Sequence, residues 1–363
     1  MELGSRVASL GGALLRAFVY NGLPSRVVFG AGSIAQLPAE ADRLGAQRVL
    51  LVSTRRAASM VAGVSKGLPV VGVFDNVAMH TPLDIANEAR ELAAQLKADC
   101  CVTLGGGSSI GFAKAIALTS GLPMIAVPTT YSGSEMTTIW GTSEHGTKKT
   151  GRDPKVLPKT VIYDPELTLD LPPRVSAASG MNAIAHCVEA LYAYDGNPIV
   201  SLMAEEGIRA LAAALPSVIR NPADIDARTD ALYGAWLAGA TISTTSVALH
   251  HKLCHVLGGL GLPHAETHSI VLPHAVRYNQ GSTREAMQRI ERALGAADAA
   301  IGLFELEQKL NLPMKLADIG MKEADLERAA RIAAEAPYPN PRKVEYAPVL
   351  ELLRNAYAGR RPS

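Results

Sequence analysis

The chain predicts two domains: an α/β dinucleotide-binding domain over residues 1–168, with a parallel sheet flanked by helices, and an all-helical domain over 169–363. Three observations carry that reading. From Arg26 to Val127, short β-branched runs alternate with amphipathic helical stretches, which implies a parallel sheet covered on both faces. From about Leu171 the β-branched runs stop, and Ala- and Leu-rich segments of helical periodicity take over. Between them, LGGGSSIGFAKAI (104–116) sets three glycines between an apolar strand and a helix, a form suited to holding phosphate.

The strands come in order at RVVF (26–29), RVLLVS (48–53), PVVGVF (69–74), CCVTL (100–104) and MIAV (124–127). PLDIANEARELAAQLK (82–97) opens on Pro and repeats apolar residues at three-to-four spacing, so it reads as a helix. After PTTYSGSEMT (128–137) a polar, turn-rich stretch ending in TVIYDPELT (160–168) predicts a hairpin or extended excursion. The helical half begins with SGMNAIAHCVEALYAY and runs on through TREAMQRIERALGAADAAIGLFELEQKL.

At 363 residues the chain is long enough for two cores. Its net charge of +1, without a long basic or acidic run, favours neither nucleic acid nor a charged membrane surface. Cys100, Cys101, Cys187 and Cys254 form no CxxC pair, as expected of reduced thiols in a cytoplasmic protein. The N-terminal MELGSRVASLGGALLRAF is interrupted by Arg16 and lacks a clear cleavage site, so it is not read as an export signal. No apolar run approaches a membrane span.

Two glycine loops compete for a nucleotide. FGAGSIA (29–35) fits G-x-G-x-x-A, but Ser53-Thr54-Arg55-Arg56 follows where an acidic residue should meet the ribose. It reads better as a tight strand-to-helix turn. Gly105, Gly106 and Gly107 make the stronger candidate, with Ser108 and Ser109 opening a helix whose N–H groups would face a pyrophosphate. Thr129, Thr130, Ser134 and Thr137 follow the next strand and offer hydroxyls to ribose or phosphate.

Six of the nine histidines lie between His250 and His274. His251 and His255 share a helical face, as do Asn182 and His186. His264 follows the turn GGLGLP, which would fold back towards the first pair. A metal site of this form would want an anionic ligand, yet position 182 carries a neutral amide. Taken singly, His268 or His274 reads as an ordinary core or surface residue.

Together GGGSSIGFAKAIAL, AVPTTYSGSEMT, VIYDPELT, SGMNAIAHCVEALYA and ALHHKLCHVLGG…LPHAETHSIVLPHAVRYN, in order over roughly residues 24–280, resemble the iron-containing alcohol dehydrogenase superfamily, which shares the dehydroquinate synthase-like fold. Within it they are similar to the maleylacetate reductases, as are KKTGRD (148–153), His250-His251 and LPHAETH. The resemblance implies a nicotinamide cofactor in the first domain, a cleft between the domains and a homodimer. The metal ligands of the metal-dependent branch would fall on Asn182, His186, His251 and His264, with His255 beside the nicotinamide. Asn182 replaces the expected carboxylate, and the maleylacetate reductases work without metal.

The activity so implied is reduction of the carbon–carbon double bond of maleylacetate to 3-oxoadipate, in aromatic-compound catabolism. NADH is expected as reductant, with NADPH also accepted, because Thr54 stands where many relatives carry an Asp. His251 and His264 are expected nearest the developing enolate, with His186 and Asn182 as orienters. Tyr131 is a candidate hydrogen-bond donor, and Lys148, Lys149 and Arg152 are candidates for the substrate carboxylates. The rivals are a metal-dependent alcohol or polyol dehydrogenase, a lyase-like relative resembling dehydroquinate synthase, and a nucleotide-binding scaffold without turnover.

Overall fold

The structure, a computed structural model, describes residues 25–144, 147–335 and 338–363, with Phe18, Tyr20, Gly22 and Leu23. The reading of residues 1–17 as a non-exported segment lies outside the described residues. The strands are β1 (Arg26–Phe29), β2 (Val49–Ser53), β3 (Val70–Phe74), β4 (Cys100–Gly105), β5 (Met124–Pro128), β6 (Ile139–Glu144), β7 (Thr147–Arg152) and β8 (Thr160–Tyr163). Six of them form a parallel sheet in the order β1-β8-β5-β4-β2-β3. The expected excursion is an antiparallel hairpin of β6 and β7.

Alternate residues of each strand face opposite layers, which is why these runs are apolar throughout. Val49, Leu51, Cys100 and Val102 pack beneath α1 (Leu37–Arg43) and α2 (Ala58–Val64). Leu50, Val52 and Cys101 pack beneath α3 (Leu83–Gln95) and α4 (Gly107–Ser120). All four cysteines are buried and free. The chain leaves β2 towards β3 on one side and β4 towards β5 on the other. That reversal opens a crevice at the carboxyl ends of β2 and β4, where open α/β sheets bind ligands.

The second half is helical among the described residues: α5 (Pro173–Leu191), α6 (Pro198–Arg220), α7 (Ile225–Thr244), α8 (Leu249–Gly259), α9 (His264–Asn279), α10 (Arg284–Leu294), α11 (Ala299–Lys309), α12 (Leu326–Glu335) and α13 (Tyr346–Ala358). One core joins α5, α6, α7 and α9 to α11, around Met181, Ile184, Leu211 and Leu232. A second joins α8, α9, α12 and α13, around Leu253, Val271 and Leu353. Several contacts hold the halves together, among them two in the interior. Phe29 and Tyr163 of the sheet pack as tilted rings against Trp236 of α7, with centroids 6.3 and 6.5 Å away. The fully buried Arg228 of α7 reaches the Tyr131 hydroxyl of the first half at 3.4 Å and donates to Ser176 Oγ and to the carbonyls of Leu169, Leu171 and Pro222, so its charge is met by dipoles of the connecting segment.

Candidate active site

The two glycine loops differ in what their N–H groups already hold. In the first, the amides of Gly32 and Ile34 donate to the Asp164 carboxylate at 3.2 and 3.0 Å. That turn carries the protein's own anion and has no room in its role for a second. In the second, α4 starts at Gly107 with no side-chain cap at Gly106. Gly105 sits at φ +144°, a conformation L side chains avoid, and a Cβ there would lie 2.6 Å from Ser109 Oγ. A Cβ on Gly106 would lie 2.9 Å from Thr130. The uncapped helix start at the crevice therefore fits the diphosphate of a dinucleotide.

Thr54, Ser108, Thr129, Thr130 and Ser134 are half-buried, at or near that edge. Two of the expected cofactor contacts turn inward instead. Ser109 is fully buried. Thr137 Oγ1 accepts from Lys114 Nζ at 2.9 Å and donates to Ser134 O. Lys114, on α4, also donates to the carbonyls of Thr137 and Ile139. It is fully buried, and its ammonium is pushed down to about 7 by burial, against the pull of Glu135. The sequence reading missed it because its partners lie 23 and 25 residues away.

The loop after β5 links this cradle to the histidines: a Cβ on Gly133 would lie 3.3 Å from His186 Nδ1. Asn182, His186 and Glu189 recur at i, i+4 and i+7 on α5, one buried stripe. His186 stacks on His251 of α8, centroids 5.2 Å apart. His268 lies 5.0 Å from His251 and 4.2 Å from His264, both ring to ring. His255 lies 6.4 Å from His251, and both His255 and His264 are exposed. Asn182 Oδ1, His186 Nδ1 and His251 Nε2 are buried atoms with no hydrogen-bond partner in the protein. Each such atom costs free energy until something satisfies it. Burial pushes His186, His251 and His268 well below the usual histidine range, and the neighbouring imidazoles add to that, so these three rings favour the neutral form.

Glu189 is the feature that sequence reasoning passed over. Its Oε2 lies 2.7 Å from His251 Nδ1 and accepts from the Ala248 amide at 2.8 Å, and its Oε1 accepts from the His250 amide at 2.8 Å. Burial raises its carboxyl above the usual range, while His250 and these amides pull the other way. The signal was present in the stripe at 182, 186 and 189. His268 also belongs to the cluster, against its reading as an ordinary residue.

Two expectations are not met. Tyr131 is fully buried, and its hydroxyl lies 3.4 Å from Arg228 Nη1 in the interior, so it cannot donate to a substrate at the histidines. Arg152 spends its guanidinium on the carbonyls of Ser243 and Thr245 at the end of α7. Lys149 stands exposed on β7, and the side chain of Lys148 lies outside the described residues. A groove of about 450 Å³ lined by Tyr192, Tyr194, Ser246, Arg284 and Asn340 contains none of the expected site residues.

As a metal set, the residues at 182, 186, 251 and 264 supply an amide and three imidazoles and no anion. A divalent ion there would face no compensating charge among its ligands, because Glu189 is already engaged behind His251. His250, His251 and His268 form another buried trio, with ring nitrogens within 4.8 Å of one another. In that trio His250 Nε2 is taken by the His268 carbonyl and His251 Nδ1 by Glu189. Neither group matches a carboxylate-plus-imidazole site.

The model for iron-containing alcohol dehydrogenase matches residues 24–165, and that for the C-terminal part of the Fe-containing alcohol dehydrogenase family matches 176–357. The chain is 54% identical over 353 residues to a maleylacetate reductase of Burkholderia cepacia, covering 96% of this chain and 100% of that one. It is similar to the crystal structure of maleylacetate reductase from Agrobacterium tumefaciens, with TM-score 0.93 and 46% identity over 96% of this chain and 100% of that one. A 1,3-propanediol oxidoreductase structure matches at TM-score 0.89 and 26% identity, over 94% of this chain and 100% of that one. With both halves matched and more than half of all residues shared with a full-length relative, the chain belongs to the iron-containing alcohol dehydrogenase family.

Proposed function

We propose that this protein is a maleylacetate reductase, reducing the carbon–carbon double bond of maleylacetate to 3-oxoadipate with NADH, and with NADPH as well. The observation that carries the reading is 54% identity, end to end, to a protein of that name. The neutral amide at Asn182 supports it over the metal-dependent alcohol dehydrogenase reading. We read the active protein as metal-independent, cytoplasmic and homodimeric. No helix among the described residues is long and apolar enough to cross a membrane.

A bound reduced nicotinamide supplies the hydride. The chain's part begins with the uncapped start of α4 and the hydroxyls of Thr129 and Thr130, which hold the dinucleotide at the crevice. Thr54 stands where an acidic residue would repel a 2′-phosphate, and the Asp75 carboxylate near this loop is paired with Arg55 at 3.7 Å. Hydride addition at the alkene carbon β to the ketone places negative charge on the ketone oxygen, and the carbon between them takes a proton. His251 and His264 are assigned to that oxygen, with His186 and Asn182 orienting and His255 near the nicotinamide. A proton carried on His251 Nε2 is balanced by the Glu189 carboxylate behind the ring, which lowers the cost of charge in a buried site. Lys149 is the remaining candidate on the hairpin for a substrate carboxylate.

Purified protein should oxidise NADH rapidly with maleylacetate and reduce NAD slowly, if at all, with simple alcohols or diols. Faster turnover of an alcohol, dependent on added divalent metal, would favour the rival within the family.

A further inference from the structure

We infer that Glu189 is a positioning residue that sets the tautomer and direction of His251, presenting Nε2 as a bare nitrogen to the site. Three donors converge on its two oxygens, at 2.7, 2.8 and 2.8 Å, all of them buried. Two are backbone amides, at Ala248 and His250, and these cannot exchange their hydrogen for a lone pair. They hold the carboxylate as an acceptor and clamp it against the start of α8, where the helix has no side-chain cap. The imidazole is the one partner that can adapt, and against an acceptor it must offer Nδ1–H. Its other nitrogen, Nε2, is buried and without a partner in the protein. The stacking of His186 on one side and the edge contacts of His250 and His268 on the other hold the ring from turning.

The functional consequence rests on the maleylacetate reading. With Nδ1–H committed, a neutral His251 cannot donate a hydrogen bond from Nε2 to the enolate oxygen. It takes part only by carrying a further proton there, which makes the Glu189 carboxylate necessary to turnover. Glu189→Gln tests this with little change of shape. An amide has one oxygen for three donors, and the orientation leaving fewest groups unpaired turns its NH₂ towards His251 Nδ1. The ring must then move its hydrogen to Nε2.

The test combines nitrogen-15 NMR of histidine-labelled protein with kinetics, the His251 signals being assigned by their loss in His251→Asn. In the native protein His251 should show a protonated Nδ1 and an unprotonated Nε2. In Glu189→Gln the pattern should reverse, and kcat with maleylacetate should fall by roughly 100-fold or more. The carboxylate behind a serine-protease histidine is worth about 10⁴; here its replacement by an amide removes the negative charge that balances a proton carried on His251. NADH affinity, read by fluorescence, should stay within about twofold, and Glu189→Asp, which keeps the charge, should recover part of kcat. A residue holding only the fold would lower stability without reversing the tautomer.

A native His251 protonated at Nε2 would overturn the inference with no variant needed. So would an unchanged pattern in Glu189→Gln, or a folded Glu189→Gln enzyme within about threefold of native kcat. Failure of the native protein to reduce maleylacetate would defeat the proposed function instead. The spectra would still decide the role of Glu189.

Discussion

Which glycine loop holds the cofactor can be settled by a pair of single-methyl substitutions. Gly106→Ala keeps an accessible backbone conformation, since φ is −89°. The new Cβ would lie 2.9 Å from both Cγ2 and Oγ1 of Thr130. Ordinary carbon contacts need about 3.5 Å or more, so Thr130 must give by roughly half an ångström at the mouth of the cradle. Overpacking of this kind costs about 1–3 kcal/mol. If Thr130 and the start of α4 hold the dinucleotide, that cost falls on binding, and the NADH Kd should rise by roughly 5- to 150-fold. Gly32→Ala is the control. Its Cβ meets nothing within 4 Å, but Gly32 sits at φ +71°, and its amide already holds Asp164. Forcing Ala into that conformation costs about 1–2 kcal/mol. It should therefore lower the melting temperature by a few degrees and leave the NADH Kd unchanged. Fluorescence titration with NADH, beside thermal unfolding, separates the two. The assignment is wrong if folded Gly106→Ala binds NADH like the native protein while Gly32→Ala does not.

Three further outcomes are expected. His251→Ala and His264→Ala should each lower kcat by about 100-fold or more with little change in NADH affinity. Near-native turnover in both, with circular dichroism unchanged, would remove the cluster from the chemistry. Chelators should leave native activity intact, while Asn182→Asp, which restores an anionic donor, should bind zinc or iron(II) more tightly in calorimetry. One tightly held divalent ion per native chain, essential for turnover, would contradict this. For Lys114, burial moves the ammonium from 10.5 down to about 7, so between those values the unfolded chain binds more protons. Native stability should rise with pH across that window, by at most about 1.4 kcal/mol per unit. Lys114→Met should lose this dependence and also strand the carbonyls of Thr137 and Ile139. Urea unfolding at pH 7, 8 and 9 gives the comparison, and parallel trends for the two proteins would refute it.

Read as sequence alone, the chain already contained its strands, its helices and the pairs that share a helical face. These depend on periods of two and 3.6 residues, which are local properties of the backbone. The five β-branched runs read as strands fall within a residue of β1 to β5, whereas β8 lay at the end of a stretch read only as a hairpin or extended excursion. Asn182 with His186, and His251 with His255, were legible for the same reason. What a group binds was not legible, because its partner lies far along the chain. The first glycine loop is filled by Asp164, 132 residues from Gly32. His251 is aimed by Glu189, 62 residues away. Tyr131 turns to Arg228, 97 residues on, and Arg152 to the end of α7, 91 and 93 residues on. A buried polar group takes whichever partner the packing brings within about 3 Å. Residue types therefore list what could act at the site, and the packing of α5, α8 and α9 selects which of them face it.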